Sequence, residues 1–367
     1  MRIFAFEPVD TWFFRDGAPY SIDTGPQLDV GGSFPPSPFV MAGAMRAALA
    51  TARGWDGTGR WPREFNATLG DGPDNLGCLS LKGPFLIHKG ELLFPAPRHL
   101  WTREDRLGFA LPGGEMICDL GLRIRMPRVP DRAAVVSRRW VRRTIFEAIL
   151  NGQLPAGKDL GKDPWLEEAR TGIQRDPTTR TVRESMLYSS RHFRLRKHTA
   201  LLVSVDGLPA DWPLPNSLCP FGGESRMAYC QEWAGSPTVL TLRMPLEQIC
   251  ADGRFVLIAL TPLDLDRAVC LGQTPLADLG GARVVAACMD RPLRIGGWDS
   301  LSRQPRPMRS YVPPGTVFFC ECADRGALRA ALERIRDGMP PPSIGGGSNY
   351  GFGCVALGTW VEEKERQ

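Results

Sequence analysis

The chain has 367 residues, 43% of them hydrophobic, which is enough to fill one elaborate domain or two smaller ones and excludes disorder as the starting point. Its formal net charge of +5 is too mild to announce a polyanionic partner by itself. Met1 to Phe6 meets Glu7 before a signal-like apolar stretch forms, and no run of about eighteen apolar residues occurs, so a cytoplasmic protein without export signal or membrane span is expected. In chain order, the first expected element follows Phe34-Pro35-Pro36-Ser37-Pro38, where Ser37 is placed to cap a helix and Pro38 takes the first helical position, at which a missing N–H costs least. Met41, Met45, Ala48 and Ala52 recur at helical spacing, which predicts a helix over 38–52 with that stripe in the core and Gly54 as its stop. Residues 79–94 read as extended chain with a tight turn at Lys89-Gly90.

Two arginine-dominated stretches come next. Between Arg123 and Arg143 there are eight arginines against Asp131 alone, and between Arg170 and His198 seven arginines and Lys197 stand against Asp176 and Glu184. In the second half, Phe255–Leu260 and Thr316–Cys322 are strand candidates, and between them Arg291 to Arg309 adds five arginines against Asp299. Residues 325–336 predict an amphipathic helix with Leu328, Ala331, Leu332 and Ile335 on one stripe, ended by Gly338 and Pro340 to Pro342. A glycine-rich loop and a last strand over 354–361 close the sequence. Too few helices separate the strands for a doubly wound parallel sheet, so the expected class is α+β, with two units each built on a largely antiparallel sheet.

Of the 45 basic residues 39 are arginine, whose planar fork suits phosphate contacts and base stacking, although a GC-rich genome enriches arginine as well. Three concentrated runs in a nearly balanced chain favour a polyanion-binding surface over ordinary solvated faces. The ten cysteines are scattered, with only Cys320 and Cys322 close together and no C-x-x-C pair, so buried thiols and no metal or other cofactor are expected. The loop from Ser343 to Gly353 places five glycines within nine residues, Gly345 to Gly353. It lacks the lysine of a phosphate-binding P-loop, and it follows a helix and precedes a strand, the reverse of a dinucleotide fold. Positive φ and close backbone approach suit a loop that offers N–H groups to RNA phosphates, with a purely structural turn as the rival reading.

These residues, taken together, resemble the repeat-associated mysterious protein (RAMP) superfamily of CRISPR systems, and within it the family of third subunits of the type III-B, or Cmr, effector. The likeness is carried by residues 7–17 (EPVDTWFFRDG), Pro35-Pro36-Ser37-Pro38, Gly83-Pro84-Phe85, residues 94–97 (FPAP), Phe221-Gly222-Gly223-Glu224, residues 295–299 (IGGWD), residues 312–318 (VPPGTVF) and the glycine loop, and it extends over nearly the whole chain. It implies two RRM-like (ferredoxin-like) units with long insertions, an N-terminal one over 1–245 and a C-terminal one over 246–367, and a protruding β-hairpin thumb within about 172–208. It implies a non-catalytic subunit that binds the 5′ repeat-derived tag of the CRISPR RNA, docks the large palm-domain subunit and an adjacent backbone RAMP subunit, and meets target RNA near the tag–spacer boundary.

On this resemblance the candidate RNA contacts are Arg15, the thumb residues Arg175, Arg180, Arg183, Arg191, Arg194 and Arg196 with Met186, Leu187 and Tyr188 as an apolar wedge, and the loop residues Gly345, Gly346, Gly347, Ser348, Asn349, Tyr350, Gly351, Phe352 and Gly353. Arg15 has a local ion pair with Asp16 as its rival role, and the wedge residues have packing of the hairpin as theirs. Some RAMP relatives cut repeat RNA without metal by means of histidine, so a metal-independent endoribonuclease is the alternative. For His88, His99, His192 and His198 a surface position or an RNA contact is the expectation, and no catalytic residue or metal ligand is assigned.

Overall fold

A computed structural model describes residues 1–15, 31–117, 121, 123–335 and 340–361, together with the backbone but not the side chains of 174 and 182–188. Asp16, Arg336, Gly338 and the side chains of Arg183, Met186, Leu187 and Tyr188 therefore lie outside the described residues.

Two compact units interleave along the chain. The first joins 1–89, 164–234 and 293–310, and the second joins 90–163, 235–292 and 311–367. A single cut near 245 does not separate them, because sheet pairing draws together segments more than a hundred residues apart.

In the first unit, antiparallel strands lie in the order Asn216–Pro220, Met227–Glu232, Arg2–Pro8, Thr199–Asp206, Ser80–His88. Leaving aside the edge strand Asn216–Pro220, the others follow the spatial order fourth, first, third, second. Arg2–Pro8 sits at the centre, with Phe4 opposite Val203 on one side and Glu232 on the other. Thr199–Asp206 is buried up to Val205, as its near-continuous apolar run requires of a strand covered on both faces. Its pairing with Ser80–His88 shifts register between Leu202 and Ser204, where Gly83 adopts φ 116° and a Cβ would lie 2.9 Å from the Leu202 carbonyl oxygen. That contact accounts for the glycine of Gly83-Pro84-Phe85.

The helix Pro38–Ala52 forms as expected: the Ser37 hydroxyl accepts the Val40 N–H at 3.4 Å, and Met41, Met45, Ala48 and Leu49 are buried. Ala52 is only half-buried. The Trp212 indole donates to the Leu49 carbonyl at 3.0 Å, an acceptor that also receives the Arg53 N–H at 3.3 Å, and so ties the end of the helix to residue 212.

In the second unit a four-stranded sheet runs Arg283–Cys288, Val317–Glu321, Arg254–Ala259, Val355–Thr359, again antiparallel and again fourth, first, third, second when read from the last strand. Phe255, Leu257, Phe318, Phe319 and Leu357 form its core. The helix Arg325–Leu332 is capped by Asp324, whose carboxylate accepts the Ala327 N–H at 2.9 Å, and it buries Leu328, Ala331 and Leu332. It ends a turn earlier than the stripe suggested, leaving Ile335 half-buried beyond it. The arginine-rich stretch 123–143 proves to be structured: Arg123–Arg128 pairs with Leu111–Ile117, Trp140–Arg142 pairs with Glu91–Pro95, and a short helix, Arg143–Leu150, stacks Phe146 on Phe94 at 4.6 Å.

Among the described residues no helix is long and apolar enough to cross a membrane, and no group of three His, Cys, Asp or Glu side chains is arranged to hold a metal. Apart from Cys78 and Cys270, the described cysteines are buried thiols, and burial pushes the Cys320 thiol well above its ordinary range.

Candidate nucleic-acid interface

The second basic run builds a long antiparallel hairpin, Trp165–Arg175 with Val182–Leu195, in register from Trp165 opposite Leu195 to Ile173 opposite Leu187. It begins earlier and ends earlier than 172–208, because residues 199–206 are a buried strand of the first unit's sheet. Asp176 makes the turn: one carboxylate oxygen accepts the N–H groups of Thr178 and Thr179, both at 2.9 Å, and the Asp176 N–H donates to the Thr181 carbonyl at 2.9 Å.

Aromatic packing and reciprocal backbone bonds hold the base of the hairpin. Trp12 donates to the Phe193 carbonyl at 3.0 Å and accepts the Phe193 N–H at 2.7 Å. Around that pair Phe34 meets Trp165 at 4.6 Å and Phe193 at 5.3 Å, while Phe221 meets Trp12 edge-on at 4.8 Å and Phe6 at 5.1 Å. The glycines of Phe221-Gly222-Gly223-Glu224 fit here: Gly222 has φ 91° and leaves no room for a Cβ beside the Phe13 carbonyl, and the Gly223 N–H donates to that same carbonyl at 2.8 Å.

Charge at the base is balanced within the chain. Asp10 receives Arg170 at 3.1 Å and Arg194 at 2.9 Å, with Arg226 at 3.7 Å; Glu168 receives Arg194 and, at 3.3 Å, Arg170; Glu167 pairs with Arg191 at 3.3 Å. The Arg170 hydrogen bond holds the Asp10 carboxyl below its usual range, and the Arg194 hydrogen bond does the same for Glu168. Arg191 and Arg194, expected on RNA, thus already serve as anchors of the hairpin. Glu167 and Glu168 were missed at sequence level because the window opened at Arg170, and the part played here by Asp10, Arg170, Glu224 and Arg226 depends on pairing between distant segments. Over 165–195 the chain in fact carries six arginines against four acids.

Arg175 and Arg180, which flank the turn, and Arg196, just past the base, are exposed and make no ion pair among the described residues. Among the described residues the Arg175 guanidinium donates to the Arg180 carbonyl, at 3.2 Å. Arg15 is exposed in a short bridge to Gly32.

Two of the four histidines, His99 and His192, correct the expectation of surface positions. His192 is fully buried: Nδ1 lies 3.3 Å from the Thr11 hydroxyl, Nε2 lies 3.1 Å from the Ser190 hydroxyl and 2.9 Å from Glu224, and the ring stacks on Phe13 at 5.3 Å. Burial lowers its pKa against the opposing pull of Glu224. His99 is also interior, stacked on Phe109 at 4.8 Å, and desolvation takes its pKa down to about 3. His88 contacts the Thr199 hydroxyl at 2.7 Å, and His198 is exposed.

In the second unit the glycine loop divides into two parts. Tyr350, Gly351, Phe352 and Gly353 are buried, and Phe352 stacks on Tyr311 at 4.8 Å. Thr261 donates to the Gly351 carbonyl at 2.8 Å and accepts the Cys354 N–H at 2.9 Å. These four candidates face the core, a correction that follows from the strand Val355–Thr359 being buried at every position. Gly345, Gly346, Gly347 and Asn349 are exposed and Ser348 half-exposed. The Gly346 N–H donates to the Asp264 carbonyl at 3.0 Å and the Gly345 N–H to the Asp278 carboxylate at 3.4 Å, whereas those of Gly347, Ser348 and Asn349 have no acceptor among the described residues. Among the described residues of the loop, these three N–H groups are exposed or half-exposed and without an acceptor.

Two units of antiparallel sheet with few helices, arginines raised on a hairpin and a glycine turn ahead of the final strand define a RAMP-like α+β protein. The model of a family described as CRISPR-associated protein (Cas_Cmr3) matches residues 4–360, and the chain belongs to that family, the Cmr3 subunits of type III-B systems. The CRISPR system CMR subunit Cmr3 of Saccharolobus solfataricus is 23% identical over 231 residues, a match covering 62% of this chain and 62% of that protein, so the chain spans under two thirds of that curated relative's length. Among solved structures, a chain of the type III-B Cmr-beta bound to cognate target RNA and AMPPnP, state 1, aligns with TM-score 0.53 and 17% identity over 91% of this chain and 88% of that one. A chain of Cmr-beta bound to cognate target RNA aligns with TM-score 0.52 and 17% identity over the same shares.

Proposed function

We propose that this chain is a non-catalytic subunit of a type III-B CRISPR effector that holds the 5′ repeat-derived tag of the CRISPR RNA and docks the large palm-domain subunit and an adjacent backbone RAMP subunit. The hairpin 165–195 acts as the thumb, reaching target RNA near the tag–spacer boundary. The strand order fourth, first, third, second in each unit supports two RRM-like units. The observation that carries the RNA reading is the division of charge on the hairpin: its base is balanced by Asp10, Glu167 and Glu168, while Arg175 and Arg180 at its far end have no carboxylate partner among the described residues. Guanidinium groups without an ion pair among the described residues, set on a two-stranded ribbon, suit the phosphates of a strand lying across it.

The test is the salt dependence of binding to single-stranded guide RNA. Each lost phosphate contact flattens the slope of log affinity against log salt by about 0.7, so replacing Arg175, Arg180 and Arg196 with Gln is expected to flatten it by up to about 2. An unchanged slope removes these residues from the interface. The repeat-cleaving alternative loses support from His192, which is buried and held on several sides. Repeat RNA incubated with the chain in chelator is therefore expected to remain intact.

A further inference from the structure

The motif Ile295-Gly296-Gly297-Trp298-Asp299 has no part in the interface described above, yet it holds the most exposed tryptophan among the large apolar side chains: Trp298 is 61% exposed. It lies on a small hairpin in which Trp298 faces Pro305 and Asp299 faces Gln304. This hairpin is fixed in place. Asp299 accepts the Leu301 N–H at 2.9 Å and the Ser302 hydroxyl at 2.6 Å, which closes the turn. The Arg306 N–H donates to the Gly297 carbonyl at 2.9 Å, and its guanidinium donates to the Pro73 carbonyl at 2.9 Å and to Asp74 while lying 4.4 Å over the Phe39 ring. A Cβ on Gly296 would come within 2.6 Å of the Met308 sulfur, so the glycine before the tryptophan lets the two sides of the segment lie together.

An indole carried in water on a hairpin whose backbone is fixed forgoes the burial that normally stabilises it, and it offers a flat face to an incoming ring. The surroundings say which ring. Arg294 and Arg303 are exposed with no ion pair among the described residues, and Asp299, the sole acid of 293–310, is spent on its own turn. An aromatic platform flanked in sequence by guanidinium groups without an ion pair among the described residues suits an unpaired base with its phosphates. We propose that Trp298 stacks on an unpaired base of single-stranded RNA while Arg294 and Arg303 meet the adjoining phosphates. This rests on the RNA-binding reading above and adds a second foothold, separate in sequence from both the thumb and the glycine loop. Because every base has a π face, the contact is tolerant of sequence.

The full chain is titrated with a 5′-labelled pool of random single-stranded RNA about ten nucleotides long and with an abasic ribose-phosphate strand of the same length. Trp298→Ala is expected to weaken binding of the base-bearing pool by roughly 5- to 150-fold, with the salt slope unchanged, whereas Trp298→Phe keeps most of the affinity. On the abasic strand Trp298→Ala makes no difference. Arg294→Gln with Arg303→Gln flattens the slope instead. Equal binding of the pool by wild type and Trp298→Ala overturns the proposal and leaves the RNA-binding reading standing; no binding by wild type at any low salt concentration sinks both. Loss of binding to a protein partner with RNA affinity intact also overturns it. As a measurement independent of variant folding, a 4-thiouridine strand irradiated on the wild-type chain is expected to cross-link at Trp298, and cross-links confined to other segments refute the stacking.

Discussion

Burial decides the fate of single residues that composition leaves equivalent. His99 is neutral in the folded chain with its pKa near 3, while in the unfolded chain it titrates near the ordinary 6.5. The unfolded state therefore binds the extra proton between those values, so the His99 contribution is fully present above pH 6.5 and is lost as pH falls, by about 1.4 kcal/mol per unit down to pH 3. Urea unfolding at pH 7.5 and 5.5 is expected to show this loss in the wild type and a smaller one in His99→Phe, a ring that fits the stack on Phe109. Gly345 is bound to its position by geometry: φ is 75° and a Cβ would lie 2.3 Å from the Asp264 carbonyl oxygen. Gly345→Ala is expected to cost about 1–3 kcal/mol in urea unfolding, whether or not RNA is present. Glycine density in the sequence announced a special backbone here. It did not announce that Tyr350 and Phe352 turn inward, since a side chain's direction depends on Tyr311 and the sheet beneath it.

At the scale of the element, the hairpin over 165–195 is held by two unequal means. Phe221 is fully buried among Phe6, Trp12 and Phe14, so Phe221→Ala is expected to destabilise the chain by about 3–5 kcal/mol, read from the urea midpoint at unchanged slope. The ion pairs at Asp10 are half-exposed, and Asp10→Asn is expected to cost at most about 1 kcal/mol overall. Its sharper signature is local: faster amide exchange and trypsin cutting within 165–195, with the rest of the chain unchanged. Rates that rise equally everywhere would show that Asp10 supports the whole unit and not the hairpin. The helix Pro38–Ala52 was legible because cap, proline and stripe are all local signals. The short helix Arg143–Leu150 was not, since its arginine-rich start masks an apolar face that becomes clear only against Phe94.

At the scale of the molecule, each unit gathers three separated segments, and residues 90–163 pass from the first unit's strand Ser80–His88 into the second before the chain returns at 164. Cutting the chain at 245 is therefore expected to yield two pieces that each lack a part of their own unit. Separately expressed 1–245 and 246–367 should unfold without a cooperative transition, while the full chain unfolds cooperatively, as followed by circular dichroism in urea. Guide binding by either piece at wild-type affinity would contradict the interleaved division.

The amino-acid order by itself settled what neighbouring residues can settle: the α+β class, the capped helix at 38–52, the turn at Lys89-Gly90, the last strand and its glycine loop, and, through short motifs spread along the chain, membership of the Cas_Cmr3 family. What only the tertiary structure decided is which charges remain free. Arg194 and Asp10 stand far apart in sequence yet meet at 2.9 Å, and Arg306 reaches back to Asp74. Caps, turns and periodicity are written within a few residues, whereas the neutralisation of a guanidinium depends on which distant carboxylate the sheets bring beside it. Charge runs counted along the chain therefore mark a region and leave the identity of its open contacts to the fold.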